Sequence, residues 1–220
     1  MGGPALGGLT VGFLGGTFDP FHVGHLALAR AARDQLALDR ILVVPAAQPP
    51  HKPGRRISPP LLRLAMVDAG IAGEPRLASS RIEIDRPGPS YTVDTVAELL
   101  GASPPGEPAE VVVILSADAV AGLPSWHEPE RLVELARFAV APRAGHPPPD
   151  LAGLVARLPG LAGRVERLDL APIDVSASEI RRRAAAGESL DGLVPPGVAT
   201  LIRDHRLYRQ HEPSEETDRP

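Results

Sequence analysis

The sequence predicts an α/β fold: a doubly wound, Rossmann-like parallel sheet covered by helices on both faces. Short apolar runs alternate with longer segments of helical periodicity, as in Leu9–Leu14, Gly24–Leu38 and Arg40–Val44. A strand, a helix and a strand of these lengths form a βαβ unit, which joins two parallel strands by a right-handed crossover. The run EVVVIL at Glu110–Leu115 is typical of a strand buried on both faces.

The remaining segments continue the same alternation. Pro59–Gly70 is predicted as a helix with Ser58 as its N-cap. Arg81–Asp85 (RIEID) alternates apolar and charged residues, which predicts a half-exposed strand. Further helices are expected at Thr92–Leu100, Arg131–Ala136, Ser178–Ala186 and Val198–Arg206. Further strands are expected at Phe138–Ala141 and Arg164–Leu170, with a Pro-rich loop at Ala144–Asp150.

The composition predicts one domain over residues 1–211, with the last two helices packed on the sheet, followed by an acidic tail. The tail, Glu212–Pro220, holds four acids and one Arg and is expected to be disordered. It accounts for −3 of the formal net charge of −4, so the body carries about −1. A body without a general basic field argues against nonspecific nucleic-acid binding.

Several functional classes are excluded by what the chain lacks. There is no cysteine, so disulfides and thiolate chemistry are excluded. No apolar run approaches the ~18 residues of a membrane span, and the first residues lack the basic region of a signal peptide. We therefore expect a cytoplasmic protein without a membrane partner. The sequence leaves open whether it forms a homo-oligomer.

The stretch GGTFDPFHVGH follows the first predicted strand and leads into the first helix, which is where ligands bind in this fold. Gly15 and Gly16 allow backbone amides to approach an anion closely. His22 and His25 lie three apart at a helix start, so both project toward the same point. Together with unpaired amides and the helix dipole they form a phosphate site. Gly24 leaves room for a nucleotide against the helix.

Each feature has a plainer explanation when it is taken singly. A Gly-Gly turn followed by Asp-Pro is often only a loop, and two histidines can be a surface accident or half of a metal site. No nearby Cys or carboxylate completes a zinc set, and Asp19 is explained by a capping role in the turn. The combination directly after the first strand favours the phosphate site.

Two stretches resemble signatures of the nucleotidyltransferase superfamily. GGTFDPFHVGH resembles the signature whose HxGH motif binds triphosphates, and DVSASEIRRR at Asp174–Arg183 resembles the second signature. The second stretch also has a physical interpretation of its own. Ser176 and Glu179 match a capping box, which predicts a helix start whose free amides face an anion. Arg181 follows as a planar phosphate donor, whereas Arg182 and Arg183 are expected on a solvated face.

Three more stretches resemble, in this order, bacterial nicotinate-nucleotide adenylyltransferases. They are PPHKP at Pro49–Pro53, SYTVDTVAEL at Ser90–Leu99 and SADAVAGLPSWHEPERL at Ser116–Leu132, and the likeness runs from about Leu9 to Arg209. The resemblance implies that a pyridine ring stacks on the single tryptophan and that amides near the SYT segment receive its carboxylate. The family usually has Gly where this chain has Ser116, which affects the fit of the adenosine.

The resemblance implies three sets of site residues. The catalytic set is His22, His25 and Arg181. The ATP-binding set is Gly15, Gly16, Thr17, Phe18, Gly24, Asp118, Ser176, Ser178 and Ile180. The mononucleotide-binding set is His51, Lys52, Tyr91, Thr92, Trp126 and Arg143. Mg²⁺ is expected to bridge the ATP phosphates through water and substrate oxygens, because no dedicated carboxylate cage is visible.

The implied reaction joins ATP and nicotinate mononucleotide to give the deamido dinucleotide and pyrophosphate. The phosphate nucleophile is already ionised, so positioning and charge neutralisation replace a general base. Two alternatives stay open. One is an adenylyltransferase for nicotinamide mononucleotide or phosphopantetheine. The other is a noncatalytic nucleotide sensor, which would be expected to lose a histidine of the pair or the Arg after Ile180, whereas this chain keeps His22, His25 and Arg181.

Overall fold

In the computed structural model, which describes residues 8–49, 57–102 and 109–209, six strands form one sheet whose neighbouring strands are all parallel. The strands are β1 (Thr10–Gly16), β2 (Arg40–Pro45), β3 (Leu77–Ser79), β4 (Glu110–Ser116), β5 (Arg137–Ala141) and β6 (Val165–Arg167). Their order is β3-β2-β1-β4-β5-β6. The chain therefore builds the sheet outward in both directions from the neighbouring strands β1 and β4.

Nine α-helices cover this sheet within the described ranges. They are α1 (Val23–Gln35), α2 (Pro60–Ile71), α3 (Ile82–Asp85), α4 (Thr92–Gly101), α5 (Ala117–Ala121), α6 (Pro129–Leu135), α7 (Leu151–Arg157), α8 (Ala177–Ala186) and α9 (Pro196–Asp204). Among the described residues, no helix has the length and apolar character needed to cross a bilayer.

Two apolar layers lie on opposite faces of the sheet. Helices α1, α2, α8 and α9 pack on one face, and residues of α3 to α7 pack on the other. Alternate residues of β4 serve the two layers: Val112 and Ile114 face the first, while Val111, Val113 and Leu115 face the second. This two-sided burial explains the unbroken apolar run in the sequence. The predicted doubly wound α/β fold with C-terminal helices packed on it is confirmed.

The predicted strand Arg81–Asp85 is wrong, because this segment forms helix α3 after an N-cap at Arg81. Arg81 and Asp85 form an i,i+4 ion pair with nitrogen and oxygen 2.9 Å apart, which a helix allows. Glu83 turns inward and accepts a hydrogen bond from Thr95 Oγ1 (2.8 Å). The true strand, β3, is a three-residue edge strand just before it, too short to give a periodic signal.

Other differences are smaller. The N-cap of α2 is Pro59 and not Ser58, and Ser58 instead donates its backbone N–H to Asp19 Oδ2 (3.1 Å). The short helix α7 is not indicated by the sequence pattern. Asp150 caps α7 by accepting a hydrogen bond from the backbone N–H of Gly153 (2.9 Å). An N-cap of this kind can be read from the local sequence, but a helix of only two turns shows too little hydrophobic periodicity to be recognised from the sequence.

Phe21 fixes the histidine-bearing loop to the core. Its side chain is fully buried in the first apolar layer, against α2. Gly70 on α2 makes this possible, since a Cβ there would overlap the Phe21 ring.

Replacing Gly70 by Ala will lower the free energy of unfolding by about 1–3 kcal/mol, the usual cost of overpacking a filled core. Gly101→Ala is the matched control, because a Cβ there meets nothing within 4 Å. The control should leave stability unchanged or raise it by roughly 0.5–1 kcal/mol, since Ala forms helix better than Gly. Urea unfolding followed by circular dichroism measures both, and equal stabilities of the two variants would contradict the packing.

Candidate active site

Three adjoining hollows open beyond the carboxyl ends of β1 and β4. The apolar hollow is lined by Leu14, Gly15, Leu28, Ile114, Ser116, Ala119 and Val175, among others. The aromatic hollow is lined by Phe13, Gly15, Thr17, Ala46, Glu83, Ser90, Tyr91, Thr92, Trp126 and His127, among others. The polar groove is lined by Thr17, Phe18, Asp19, His22, His25, Ile57, Asp118, Arg143, Ala177 and Arg181.

The hollows share walls, so they form one continuous cleft. Gly15 lines the apolar and the aromatic hollow. Thr17 lines the aromatic hollow and the polar groove. His22, His25 and Arg143 line the apolar hollow and the polar groove. The apolar and aromatic hollows therefore adjoin at Gly15, and the polar groove adjoins both of them.

The two predicted histidines lie together at the start of α1. His22 is the N-cap, and its ring stacks on that of His25 with centroids 3.6 Å apart and an interplanar angle of 17°. The backbone N–H of His22 donates to His25 Nδ1 (3.2 Å). Because Nδ1 is an acceptor, the neutral His25 ring carries its proton on Nε2. Phe18 and Phe21 contact the His25 ring from other sides, with centroids 4.9 and 5.4 Å away.

His22 is neutral at physiological pH. Burial lowers its pKa to about 4, and the nearby positive charge of Arg143 acts in the same direction. Its Nδ1 is buried and has no hydrogen-bond partner among the described residues. An unpaired buried polar atom costs free energy, so a ligand group that pairs with it would bind more tightly here.

The glycines of the motif serve packing more directly than anion approach. A Cβ on Gly15 would lie 2.6 Å from Phe13 Cζ, and one on Gly16 would lie 2.8 Å from the Phe18 ring. A Cβ on Gly24 would lie 2.8 Å from Val175 Cγ1. The predicted free space for a nucleotide over Gly24 is therefore taken by Val175 and the ring of His22, although Gly24 still lines the apolar hollow.

Two arginines bring positive charge to the polar groove. Arg181 of α8 donates from Nη1 to the carbonyl oxygen of Asp19 (2.7 Å) and from Nη2 to Ser178 Oγ (3.1 Å). Arg143, after β5, faces Asp118 with Nη1 and Oδ2 3.5 Å apart. Both guanidiniums lie beside the histidine pair, as phosphate oxygens would require.

The start of α8 agrees only in part with its prediction. Ser176 is the N-cap and accepts a hydrogen bond from the backbone N–H of Glu179 (3.2 Å). The Glu179 carboxylate pairs with Arg182 and Arg183 on the solvated face, so the reciprocal half of the capping box is replaced. Ile180 is buried in the core and its amide donates to Ser176 O (3.1 Å), so it anchors α8 and has no route to ATP.

The aromatic hollow holds the residues predicted to recognise a pyridine ring. Tyr91 is the N-cap of α4 and Thr92 its first residue. Trp126 is half-buried and lines the same hollow. His127, which the sequence analysis did not select, stacks on Tyr91 with centroids 4.0 Å apart and an angle of 24°. Its position next to Trp126 in the chain was the available signal.

The base of the aromatic hollow is a buried polar network. Glu83 lies under it, and burial raises the pKa of this carboxyl although a hydrogen bond from Thr95 opposes the change. Ser90 Oγ accepts the backbone N–H groups of Ala47 (2.9 Å) and Gln48 (3.2 Å). Ser90 thereby ties the loop after β2 to the start of α4.

The remaining predicted residues are placed as follows. His51 and Lys52 lie outside the described residues. Ser116 is the N-cap of α5 and lines the apolar hollow where the family usually has Gly. Asp118 lies in the first turn of α5 and faces the polar groove.

The polar groove offers few free metal ligands. In the described part of the chain, no group of three or more His, Asp or Glu side chains could hold a metal ion. The Asp19 carboxylate already accepts hydrogen bonds from Tyr208 Oη (2.7 Å) and from the Ser58 amide. Asp118 is the more exposed carboxylate and faces Arg143.

The buried His22 will make the stability of the protein depend on pH. Its pKa is about 4 in the folded state and about 6.5 in the unfolded state, so the unfolded chain binds more protons between these values. Stability is therefore complete above about pH 6.5 and falls by up to about 3 kcal/mol as the pH drops toward 4. Urea unfolding at pH 7, 6 and 5 measures the slope.

His22→Gln should flatten this slope, and His146→Gln, on an exposed loop, is the control that should keep it. An unchanged slope in His22→Gln would show that His22 is not the group responsible.

The chain is similar to known proteins over most of its length. A family model described as cytidylyltransferase-like matches residues 13–183. A Thermomicrobium roseum protein named "probable nicotinate-nucleotide adenylyltransferase" is 43% identical over 202 residues, 92% of each chain. A Dehalococcoides mccartyi protein of the same name is 41% identical over 202 residues, covering 92% of this chain and 98% of that protein.

The fold also matches a solved structure. Nicotinic acid mononucleotide adenylyltransferase from Plasmodium falciparum, complexed with NaAD, superposes with a TM-score of 0.75 at 16% identity, over 91% of this chain and 97% of that one. At this identity the likeness concerns the fold. On the sequence matches, which span nearly the whole of both chains, the protein belongs to the nicotinate-nucleotide adenylyltransferase family within the cytidylyltransferase-like superfamily.

Proposed function

We propose that the protein transfers the adenylyl group of ATP to nicotinate mononucleotide, giving nicotinate adenine dinucleotide and pyrophosphate in NAD biosynthesis. One observation carries this proposal: an apolar and an aromatic hollow share Gly15 and meet at a groove that holds two histidines and two arginines. Two nucleotides bound in these hollows would bring their phosphates together at the groove. Membership of the family supports the reaction class.

The two bases are assigned by the chemistry of the hollows. Adenosine occupies the apolar hollow beside Gly24 and Ser116. The pyridine ring occupies the aromatic hollow, where Trp126 offers a large π-face. Its carboxylate lies at the start of α4, because the first amides of a helix lack partners within it and favour an anion. The Tyr91 amide is already donated to Pro89 O (3.1 Å), so Thr92 is the first residue for this role.

The chemical step needs no covalent intermediate on the protein. An oxygen of the mononucleotide phosphate attacks the α-phosphorus of ATP in line, and the bond from that phosphorus to the bridging oxygen of the β-phosphate breaks, releasing pyrophosphate. The attacking phosphate is already ionised, so no base must remove a proton. The protein contributes alignment and neutralisation of charge.

The groove divides this work between neutral and charged donors. His25 donates Nε2–H to the α-phosphoryl oxygens, on which negative charge develops. His22 is neutral and acts as a hydrogen-bonding partner of an adjacent phosphate oxygen. Arg181 and Arg143 supply the positive charge, with Arg181 on the β- and γ-phosphates as pyrophosphate leaves.

Mg²⁺ is proposed as the ion that accompanies ATP. It offsets part of the negative charge of the phosphates when bound to them. Because the carboxylates of Asp19 and Asp118 already have partners, phosphate oxygens and water would hold most of the ion, with Asp118 as the more accessible protein oxygen. Mg²⁺ would therefore enter the site bound to ATP.

Other parts of the functional assignment stay predictions from the sequence. These are the single nucleotidyltransferase domain over residues 1–211, the cytoplasmic location, the absence of a nucleic-acid partner, and the contacts of His51 and Lys52 with the mononucleotide. The oligomeric state is likewise untested.

The proposed reaction is tested by supplying ATP with nicotinate mononucleotide, nicotinamide mononucleotide or phosphopantetheine and measuring pyrophosphate release, with and without Mg²⁺. We expect kcat/KM for the acid form to exceed that for the amide by about 10²-fold, because helix-start amides favour a carboxylate. Turnover should require Mg²⁺. Faster turnover of nicotinamide mononucleotide or of phosphopantetheine would contradict the assignment of nicotinate mononucleotide as the substrate. ATP binding without any turnover would identify a nucleotide sensor.

His25→Ala should lower kcat by about 10²–10³-fold, the usual cost of removing one donor to a developing negative charge. The fold should survive, as judged by circular dichroism and thermal unfolding. His205→Ala, at the exposed end of α9, is the control and should turn over normally. Near-normal kcat in His25→Ala would contradict the role assigned to this ring.

A further inference from the structure

Arg63 is a buried cation that the proposed reaction does not use. It lies in the apolar run LLRLAMV of α2 and is 1% exposed. Within the described part of the chain, no carboxylate oxygen lies within 4.0 Å of its nitrogens. Burial lowers its pKa, opposed by the charge of Asp19. Burying a charge without an ion-pair partner is costly, so its partners should reveal what it does.

The partners of Arg63 are backbone carbonyl oxygens on three separate segments. Nη1 donates to Thr17 O (2.7 Å), in the loop between β1 and α1. Nη2 donates to Ala46 O (2.7 Å), directly after β2. Nε donates to Ser58 O (2.8 Å), two residues before α2. One guanidinium thus joins three chain segments that are far apart in sequence.

These segments build one side of the cleft. Thr17 lines both the aromatic hollow and the polar groove, Ala46 lines the aromatic hollow, and Ile57, next to Ser58, lines the polar groove. The apolar hollow includes none of them. Arg63 is therefore connected to the mononucleotide side and not to the adenosine side.

The geometry of these bonds requires arginine. A guanidinium presents donors in a rigid planar fork, so it can reach three fixed acceptors at once. A lysine ammonium keeps the charge but cannot match all three directions from one point. An apolar side chain would fill the space but would donate to none of the three carbonyl oxygens.

We propose that Arg63 is a positioning residue. It holds the segments that line the aromatic hollow in a fixed position relative to the polar groove. It acts through the backbone of Thr17 and Ala46, so that the incoming phosphate is aligned on the α-phosphorus of ATP. This inference rests on the proposed function. Loss of Arg63 should affect the two substrates differently, because the apolar hollow assigned to adenosine lacks these contacts.

Arg63→Lys tests the proposal against a matched control, Arg33→Lys. Arg33 is also buried (9% exposed) and donates to Pro75 O (3.2 Å), but it pairs with Asp34 and Glu74 and lines none of the three hollows. All proteins are assayed at a temperature at which each is fully folded.

We expect Arg63→Lys to raise KM for nicotinate mononucleotide at least tenfold and to lower kcat. The Kd of α,β-methylene-ATP, measured by calorimetry, should rise by a smaller factor, because only its phosphates and not its adenosine would lie against the segments that Arg63 holds. Arg33→Lys should change neither by more than twofold. In Arg63→Ala, millimolar guanidinium should restore part of the lost kcat/KM, and it should restore nothing in Arg33→Ala.

Hydrogen exchange supplies a readout that does not depend on turnover. The amides of residues 15–19 and 46–48 should exchange at least tenfold faster in Arg63→Lys than in Arg33→Lys. Unchanged exchange there, or an equal loss of affinity for both substrates, would overturn the inference. If the unmodified protein does not turn over nicotinate mononucleotide while exchange changes as expected, the proposed reaction fails and the positioning of the segments stands.

Discussion

The reversal of strand order between β1 and β4 is the constraint on which the site depends. From these neighbours the sheet grows outward in both directions, and the following helices cover opposite faces: α1 lies on one side and α5 and α6 on the other. The connections therefore diverge at the carboxyl ends of the two strands and leave a crevice. All three hollows open there, so the backbone topology sets where two nucleotides can meet.

Within this crevice the His22 ring carries no positive charge. The N-cap position buries His22 against His25, and burial keeps its ring neutral. Because the buried His22 ring is already desolvated, it would need little reorganisation when a phosphate oxygen binds beside the two histidines. The cations stand beside them, on Arg181 and Arg143, each restrained by a partner of its own.

The sequence could predict most of the site because its signals are local. A strand, a glycine turn and two histidines at a helix start predict that His22 and His25 lie at the carboxyl ends of the parallel strands. Trp126 and Tyr91 follow from the resemblance. Arg63 was not predictable, because its carbonyl partners come from three distant segments. The strand predicted for RIEID is wrong because alternation over five residues cannot distinguish a strand from a helical turn in which Glu83 is buried. The Gly15-Gly16 turn can be recognised from the sequence, but the space that these glycines leave for the rings of Phe13 and Phe18 is seen only in the structure.

The position of Gly15 in the wall of both base-binding hollows has a consequence for fidelity. Under the proposed function the two nucleotides would adjoin at Gly15, so each would complete part of the other's binding surface. A water molecule that competed for the activated phosphorus would have to occupy the place taken by the second nucleotide.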